Sequence, residues 1–384
     1  MKVPFCRVDC SSNEVKYVQE VLASGWLTTA GKTFEFEKRF GTAVGGKHAI
    51  AVNSCTAALH LALEAVGIGP GDEVLVPTLT FTATAEVVRY VGADPIFVDM
   101  EYGSGLITAP SIQDALESHP KVKAVMVVHF AGQAANMPAI LDVCRPRGVR
   151  VVEDAAHAFP TRCAGRMIGS WGDITCFSFY ANKTITTGEG GMLVTDDESL
   201  AKRARVMRLH GIDRDIWNRF TASRPSWEYD VVAPGFKYNL SDLAAAVGLA
   251  QLERAYEFRD QRQAVAKRYL SALAGLPGVD LPMVHSVPED HAWHFFWIVL
   301  QPEARLNRDA FIEGLMAREI GFSVHYKPLH HMTYYKERYH LRPEDFPNAE
   351  RHWRGCVSLP LYPGMTEAEL DYVIHEVRSL LSPS

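Results

Sequence analysis

The chain has 384 residues, of which 47% are hydrophobic and 22% charged, and its formal net charge is −6. This composition predicts a globular protein with a sizeable core and room for two domains. There is no long basic run and no stretch of about 18 apolar residues, so neither nucleic acid nor a membrane is an expected partner.

The cysteines and histidines predict a reducing compartment and no metal site. Seven cysteines are scattered without a CxxC pair, and the N-terminus lacks an apolar signal-peptide core, which together predict a cytoplasmic protein. The 15 histidines include no HExxH motif. His330 and His331 are adjacent, a spacing that matches no common metal motif.

Short apolar segments alternate with helical segments over the first two-thirds of the chain. Several of the apolar segments lack polar alternation, which is typical of strands buried on both faces of a sheet. The order of the segments predicts an α/β fold with a large, mainly parallel seven-stranded sheet. The seven predicted strands are Ala49–Asn53, Glu73–Pro77, Pro95–Asp99, Ala124–His129, Val149–Asp154, Ile174–Phe179 and Gly191–Thr195. The helices predicted between them include Ala57–Val66, Thr82–Val91 and Ala109–Glu117.

The rest of the chain predicts a smaller C-terminal α+β domain. The segment Leu240–Leu273 has apolar residues mostly three or four apart, which predicts one long helix leaving the large domain. We therefore expect a large domain over residues 1–250 and a small domain over 251–384. The later predicted elements are strand Trp293–Leu300, helix Asp309–Arg318, strand Gly321–His325 and helix Thr366–Leu380.

Lys183 carries the strongest chemical signal. It follows the sixth predicted strand and is the only basic residue between Arg166 and Lys202. Its loop is apolar, hydroxyl-rich and glycine-rich, with Glu189 as the only other charge. An isolated lysine is usually solvated, but this loop would desolvate the amine and lower its pKa toward that of a usable nucleophile.

Asp154 ends the fifth predicted strand, 29 positions before Lys183. A lysine past one strand and an aspartate at the end of another suit pyridoxal phosphate (PLP). The lysine can form a Schiff base with the cofactor, and the aspartate can keep the pyridine nitrogen protonated.

A phosphate anchor is predicted where the first strand meets its helix. Ser54, Cys55 and Thr56 lie at this junction, and the free N–H groups of a helix N-terminus suit a phosphate. A plain helix N-cap would give the same pattern.

Three more residues lie at or shortly after the ends of predicted strands and have two interpretations each. Phe81 could stack on a flat cofactor ring or belong to the core. His157 could meet the phenolic oxygen of the ring or be a hydrogen-bonded core histidine. Ser178 could add its hydroxyl to the phosphate cradle or satisfy a local backbone group. Because ligands of open α/β sheets bind at the carboxyl ends of the strands, all these residues are expected at one site.

The chain resembles the DegT/DnrJ/StrS group of nucleotide-sugar aminotransferases, which have the aspartate-aminotransferase fold (fold type I). The resemblance covers nearly the whole chain, and its most specific motifs are Glu153–Ala158, Lys183 with Thr187–Gly191, and Gly235–Leu240. It implies a PLP-dependent aminotransferase that moves an amino group from an amino acid, with L-glutamate expected, to a keto carbon of a nucleotide-linked sugar.

The resemblance also implies a role for each residue. Lys183 would hold PLP and move protons, and Asp154 would pair with the ring nitrogen. Asn239 would reach the phosphate from the partner subunit, so that a homodimer would share its active sites. Relatives often have glycine where this chain has Cys55, which is a departure from the family's pattern. The other residues of the implied cofactor site are Ser54, Thr56, Phe81, His157 and Ser178.

Two sub-groups of the family match different segments. Asn182–Met192 is similar to the GDP-perosamine synthases, which are GDP-4-keto-6-deoxymannose 4-aminotransferases. Trp217–Lys237 and the Tyr334-Tyr335 pair are similar to the UDP-4-amino-4-deoxy-L-arabinose aminotransferases, and we expect a UDP-linked sugar that is aminated at C4. The implied substrate-binding residues are Thr28, Thr29, His325 and His330.

Three rival functions use the same scaffold. In PLP-dependent sugar dehydratases of this fold a histidine replaces the Schiff-base lysine, so Lys183 argues against that function. A cysteine desulfurase needs a mobile nucleophilic cysteine, whereas Cys356 lies in an apolar stretch. The intact pair of Asp154 and Lys183 and the lack of an added basic domain argue against the third rival, a catalytically silent regulator.

Overall fold

A seven-stranded sheet forms the main body of the protein, seen in a computed structural model that describes residues 1–213, 229–285, 287 and 290–382. The described strands are β1 (His48–Val52), β2 (Glu73–Pro77), β3 (Asp94–Val98), β4 (Val122–Val128), β5 (Arg150–Asp154), β6 (Arg162–Cys163), β7 (Arg166–Met167), β8 (Ile174–Ser178), β9 (Gly191–Thr195), β10 (Val279–Asp280), β11 (Phe296–Leu300) and β12 (Cys356–Leu359). The described α-helices are Glu14–Ser24, Gly31–Val44, Cys55–Ala65, Ala83–Tyr90, Ala109–Ser118, Met137–Cys144, Glu198–Met207, Asp242–Glu253, Ala255–Leu273, Arg308–Ala317, Thr333–Tyr339, Pro347–Gly355 and Glu367–Leu381. None of these helices is both long enough and apolar enough to cross a membrane.

The sheet has the strand order β1-β9-β8-β5-β4-β2-β3. All neighbours pair in parallel except β9, which is antiparallel to both β1 and β8. The seven predicted strands are present with ends shifted by at most two residues. The predicted α/β fold with a mainly parallel seven-stranded sheet is therefore confirmed.

The reversal at β9 follows from the connection that precedes it. A parallel neighbour needs a crossover, usually a helix, whereas the segment from Phe179 to Gly190 returns directly to the same sheet without an α-helix. The chain therefore turns back beside β8. This turn holds Lys183 at the carboxyl edge of β8.

Strand β4 shows how the sheet is buried on both faces. Val125 and Val127 belong to one hydrophobic cluster, and the alternating residues Ala124 and Met126 belong to another. All four side chains have no exposed surface. Because successive side chains of a strand point to opposite faces, both faces of the sheet are covered at this strand.

The C-terminal part differs from its prediction in two places. The predicted helix Leu240–Leu273 is two helices that meet at Arg254, whose backbone (φ −109°, ψ 8°) is not helical. No glycine or proline marks this break, so apolar spacing could not reveal it. The predicted strand Gly321–His325 forms only an isolated bridge between Ser323 and Ser358, and the N–H of Gly321 donates to the Val3 carbonyl (2.7 Å).

A three-stranded antiparallel sheet of β10, β11 and β12 follows the helix pair. It packs in its own hydrophobic cluster with residues such as Tyr269, Leu315 and Val373. The division into domains 1–250 and 251–384 stays a prediction, and the helix break at Arg254 lies close to the predicted boundary.

Candidate active site

A cavity of about 360 Å³ opens at the carboxyl edge of the sheet. It brings together nine of the thirteen residues predicted for the site, because parallel strands that end at one edge deliver their following residues to the same place. The nine are Ser54, Cys55, Thr56, Phe81, Asp154, His157, Ser178, Lys183 and His325.

Lys183 is half-buried in the wall of this cavity. Its Nζ lies 3.4 Å from Nε2 of His294. Burial lowers the pKa of Lys183 from 10.5 to about 8, although the nearby Cys55 and Asp154 act in the opposite direction. A substantial fraction of the amine is therefore neutral and nucleophilic close to physiological pH.

The carboxylate of Asp154 is buried at the end of β5. Its Oδ2 accepts a hydrogen bond from the Thr84 hydroxyl (2.8 Å), and its Oδ1 accepts one from the N–H of Ala156 (3.2 Å). Burial raises the pKa of Asp154 in spite of these two donors. Among the described residues it has no ion-pair partner, so the carboxylate has capacity to stabilise a cation placed beside it.

The helix Cys55–Ala65 presents its N-terminus to the cavity. Ser54 is its N-cap, and the side chain accepts a hydrogen bond from the N–H of Ala57 (3.1 Å). The N–H groups of Cys55 and Thr56 belong to the first turn, which has no acceptors within the helix. Gly191 permits this arrangement, because a Cβ there would come within 2.6 Å of the Ser54 carbonyl carbon. This junction could hold a phosphate.

Phe81 and Tyr326 add aromatic rings to the lining of the cavity. Phe81 is 56% exposed, which is unusual for a phenylalanine and leaves its face available to a flat ring. The Tyr326 ring lies 6.0 Å from it, and the Tyr326 hydroxyl is 3.0 Å from Nε2 of His157. Ser178 also lines the cavity. Its hydroxyl accepts a hydrogen bond from the N–H of Tyr180 (3.3 Å), so it also satisfies a local backbone group, as the second interpretation of this residue predicted.

His294 and Tyr326 are site residues that sequence reasoning missed. His294 stacks on His157 with ring centroids 4.5 Å apart, and burial keeps the pKa of both imidazoles well below the ordinary value. The sequence signal that could have identified Tyr326 was its position next to His325, a predicted substrate-binding residue. His294 precedes β11, whereas the sequence prediction placed it inside the strand Trp293–Leu300.

Four predicted site residues do not line the Lys183 cavity. Thr28, Thr29 and Asn239 line a second cavity of about 250 Å³, where the Asn239 amide donates to the Thr29 hydroxyl (2.7 Å). His330 is fully buried, and its Nδ1 lies 2.8 Å from the Thr78 hydroxyl. His330 therefore does not reach the cavity of Lys183. Most of the predicted substrate segment Trp217–Lys237 falls within residues 214–228, which lie outside the described part of the chain.

The residues of the first cavity fit pyridoxal phosphate. Among the residues that the structure describes, a buried carboxylate with no ion-pair partner, a half-buried amine of lowered pKa and a helix N-terminus line this one cavity. Within the described residues, Nδ1 of His157 and Oδ1 of Asn182 are buried without a hydrogen-bond partner, as expected of groups prepared for a polar ligand. When bound, the cofactor supplies an electrophilic aldehyde and an electron-accepting ring. Lys183, Asp154 and the Ser54 junction would hold its aldehyde, ring nitrogen and phosphate.

This sheet and this cavity suit the class of PLP-dependent enzymes, and comparison with known proteins specifies the family and its amino-transfer activity. The sequence profile of the DegT/DnrJ/EryC1/StrS aminotransferase family matches residues 8–378. The chain belongs to this family and is a sugar aminotransferase that uses PLP.

Individual relatives match over almost their whole length. The chain is 45% identical to the spore coat polysaccharide biosynthesis protein SpsC of Bacillus subtilis, over 99% of this chain and 97% of the relative. The putative sugar aminotransferase Spr1654 from Streptococcus pneumoniae, solved in its PMP-form, has a TM-score of 0.91 and 30% identity, with 99% of both chains covered. The S. venezuelae protein DesV has a TM-score of 0.88 and 33% identity, with 98% of both chains covered.

Proposed function

We propose that this enzyme transfers an amino group from L-glutamate to the C4 keto carbon of a UDP-linked sugar. The observation that carries the amino-transfer chemistry is the cavity shared by Lys183 and Asp154. The relationship to SpsC supports a product used in polysaccharide biosynthesis. The scattered cysteines, all free, support work in a reducing compartment such as the cytoplasm.

This proposal assigns a role to each functional side chain of the Lys183 cavity. The Lys183 amine takes the α-proton from the amino donor and returns a proton to the sugar carbon, and its lowered pKa suits both steps. Asp154 stabilises a protonated ring nitrogen. Phe81 would cover the face of the ring, and His157, whose Nε2 contacts the Tyr326 hydroxyl, would lie beside it.

The remaining residues of the cavity bind the cofactor phosphate or contribute to the substrate side. Ser54, Cys55 and Thr56 bind the cofactor phosphate through the helix N-terminus, with Ser178 beside them. His325 contributes to the substrate side of the cavity. His330 has no direct contact with substrate in this proposal, because it is enclosed by other side chains.

The second cavity supports a nucleotide diphosphate and a shared site. Thr28 and Thr29 lie there beside the exposed cations Lys202, Arg205 and Lys237. Hydroxyl and cationic donors suit a pyrophosphate. Among the described residues, the lysines and the aspartate that line this cavity are all exposed, unlike Lys183 and Asp154 in the first cavity. We therefore propose that it faces the Lys183 cavity of a partner subunit, with Asn239 reaching the partner's cofactor.

The substrate proposal is tested by offering the purified enzyme L-glutamate and a panel of nucleotide-linked ketosugars, with mass spectrometry of the products. We expect a mass change corresponding to replacement of the carbonyl oxygen by an amino group, on UDP-linked 4-keto sugars, together with 2-oxoglutarate. UDP should inhibit more strongly than GDP or dTDP at equal concentration. Stronger inhibition by GDP would move the substrate to that of a perosamine synthase and leave the PLP chemistry intact.

A further inference from the structure

Three metal-ligand side chains meet on the C-terminal side of the molecule, outside both cavities described above. His330 and His331 lie in a short 3-10 turn, Leu329–His331, and Glu350 lies on the helix Pro347–Gly355. One ligand atom from each residue lies within 4.8 Å of the other two. The sequence showed two adjacent histidines without a motif, and only the folded chain adds the carboxylate.

The three ligand atoms converge on one point. Nε2 of His330 lies 3.0 Å from Oε1 of Glu350, and Nε2 of His331 contacts the same oxygen. Two imidazole nitrogens and one carboxylate oxygen form a set that Zn²⁺ binds in proteins, at about 2.0–2.2 Å from each ligand. Ligand atoms so close together can all reach one ion with small side-chain movements.

The surrounding groups orient these ligands as a zinc site requires. Nδ1 of His330 lies 2.8 Å from the Thr78 hydroxyl, which can accept the Nδ1 proton and leave Nε2 free to bind a metal. The Arg354 guanidinium donates to Oε2 of Glu350 (3.3 Å), so that Oε1 remains directed at the histidines. The His330 ring also stacks on Phe346 with centroids 4.8 Å apart, which fixes its plane.

The cluster is accessible from solvent. Glu350 and Arg354 line an open cavity of about 550 Å³, and the side chain of His331 is 25% exposed. An ion can therefore enter, and a water molecule can supply a fourth ligand.

We propose that His330, His331 and Glu350 form a zinc-binding site. The ion ties the turn 329–331 to the helix Pro347–Gly355. Because this turn follows Tyr326 by only a few residues, the site stabilises the segment that carries one wall of the Lys183 cavity. The role of the ion is structural, since none of its three ligands lines the Lys183 cavity.

The test measures Zn²⁺ binding to the PLP-loaded enzyme after chelator treatment and dialysis, in competition with a chromophoric zinc indicator. One high-affinity ion per chain is expected, and Zn²⁺ should raise Tm by about 2 °C or more. His331→Ala should weaken zinc binding at least tenfold and abolish the Tm increase. The matched control His375→Ala removes an exposed histidine from the helix Glu367–Leu381 and should behave like the wild type.

Glu350→Gln provides a second variant if His331→Ala does not fold, since glutamine keeps the side-chain volume and an acceptor oxygen but loses the anionic ligand. It should lower zinc affinity to a similar extent. Absence of tight zinc binding to the wild type would overturn the proposal, leaving Glu350 as a hydrogen-bond acceptor for two histidines. Equal zinc binding by the wild type and both variants would also overturn it, because the ion would then bind elsewhere.

Discussion

At the scale of single residues, burial acts in opposite directions on the two groups that define the active site. It raises the pKa of the Asp154 carboxyl and lowers that of the Lys183 amine to about 8. In both cases the low-dielectric surroundings disfavour the charged form. The result is an amine that can lose its proton near neutral pH and a carboxylate that gains most from a cationic partner.

Asp154→Asn tests the carboxylate without removing its hydrogen bonds. The Thr84 hydroxyl contacts both Asp154 and the Thr80 hydroxyl (2.8 Å), so Thr84 can accept from the new amide and donate to Thr80 instead. We expect PLP to remain bound while turnover falls about 100-fold, because a neutral amide does not stabilise a protonated ring nitrogen. Steady-state kinetics at saturating cofactor measure this, and a near-normal rate would make Asp154 merely structural.

The Lys183 amine should control how fast the apoenzyme captures PLP. Only the neutral amine attacks an aldehyde, so the capture rate should rise as pH increases through about 8 and level off above it. Neutral His294 can accept a hydrogen bond from the protonated amine and so favours the charged form. His294→Phe should therefore shift the midpoint to lower pH.

Stopped-flow absorbance at a series of pH values measures this midpoint, with His375→Ala as an exposed-histidine control. An unchanged midpoint in His294→Phe would show that the 3.4 Å contact does not influence the amine.

At the scale of elements, the start of the helix Cys55–Ala65 serves both folding and binding. The same Ser54 hydroxyl that caps this helix also lines the cavity. The helix dipole and the free N–H groups of the first turn act together on an anion at this position. A defect at the cap should therefore change both stability and cofactor affinity.

Ser54→Ala should lower the free energy of unfolding by about 1 kcal/mol and weaken PLP binding. Thr366→Ala is the matched control, because Thr366 caps the helix Glu367–Leu381 by the same type of hydrogen bond and does not line the Lys183 cavity. It should cost similar stability without changing the dissociation constant of PLP. Denaturant unfolding and cofactor titration of the two variants separate these effects, and equal PLP affinities would exclude Ser54 from the phosphate site.

At the scale of the whole molecule, twelve of the thirteen predicted site residues divide between two cavities of one chain, and His330 lies in neither. The first holds Lys183 and Asp154, and the second holds Thr28, Thr29 and Asn239. A symmetric homodimer can bring the second cavity of one subunit to the first cavity of the other, and a two-fold axis then makes both sites equivalent.

Complementation tests this arrangement. Lys183→Ala and Asn239→Ala homodimers should each have little activity. In a mixed dimer one site contains both substitutions and the other contains neither. After subunit exchange, an equal mixture should therefore recover about a quarter of wild-type activity. Mass spectrometry of differently tagged subunits verifies the exchange. If mixed dimers form without recovered activity, the active site is not shared in this way.

The sequence by itself determined the local structure and the chemical candidates. Runs of Val and Ile located the strands, and their uninterrupted apolarity predicted a sheet buried on both faces, as Val125 and Met126 show. Lys183 was recognisable as a lone basic residue in an apolar loop, and Asp154 as a carboxylate at the end of a strand. Such signals are carried by residues close together in the chain.

Only the tertiary structure decided which distant residues meet. His294 lies 111 positions from Lys183, and no pattern within either segment records their contact. The break at Arg254 and the separation of Asn239 from the Lys183 cavity depend in the same way on packing between elements. The same holds for Glu350 and the histidine pair, since the periodicity of a segment specifies which face is buried but not which distant side chain it is buried against.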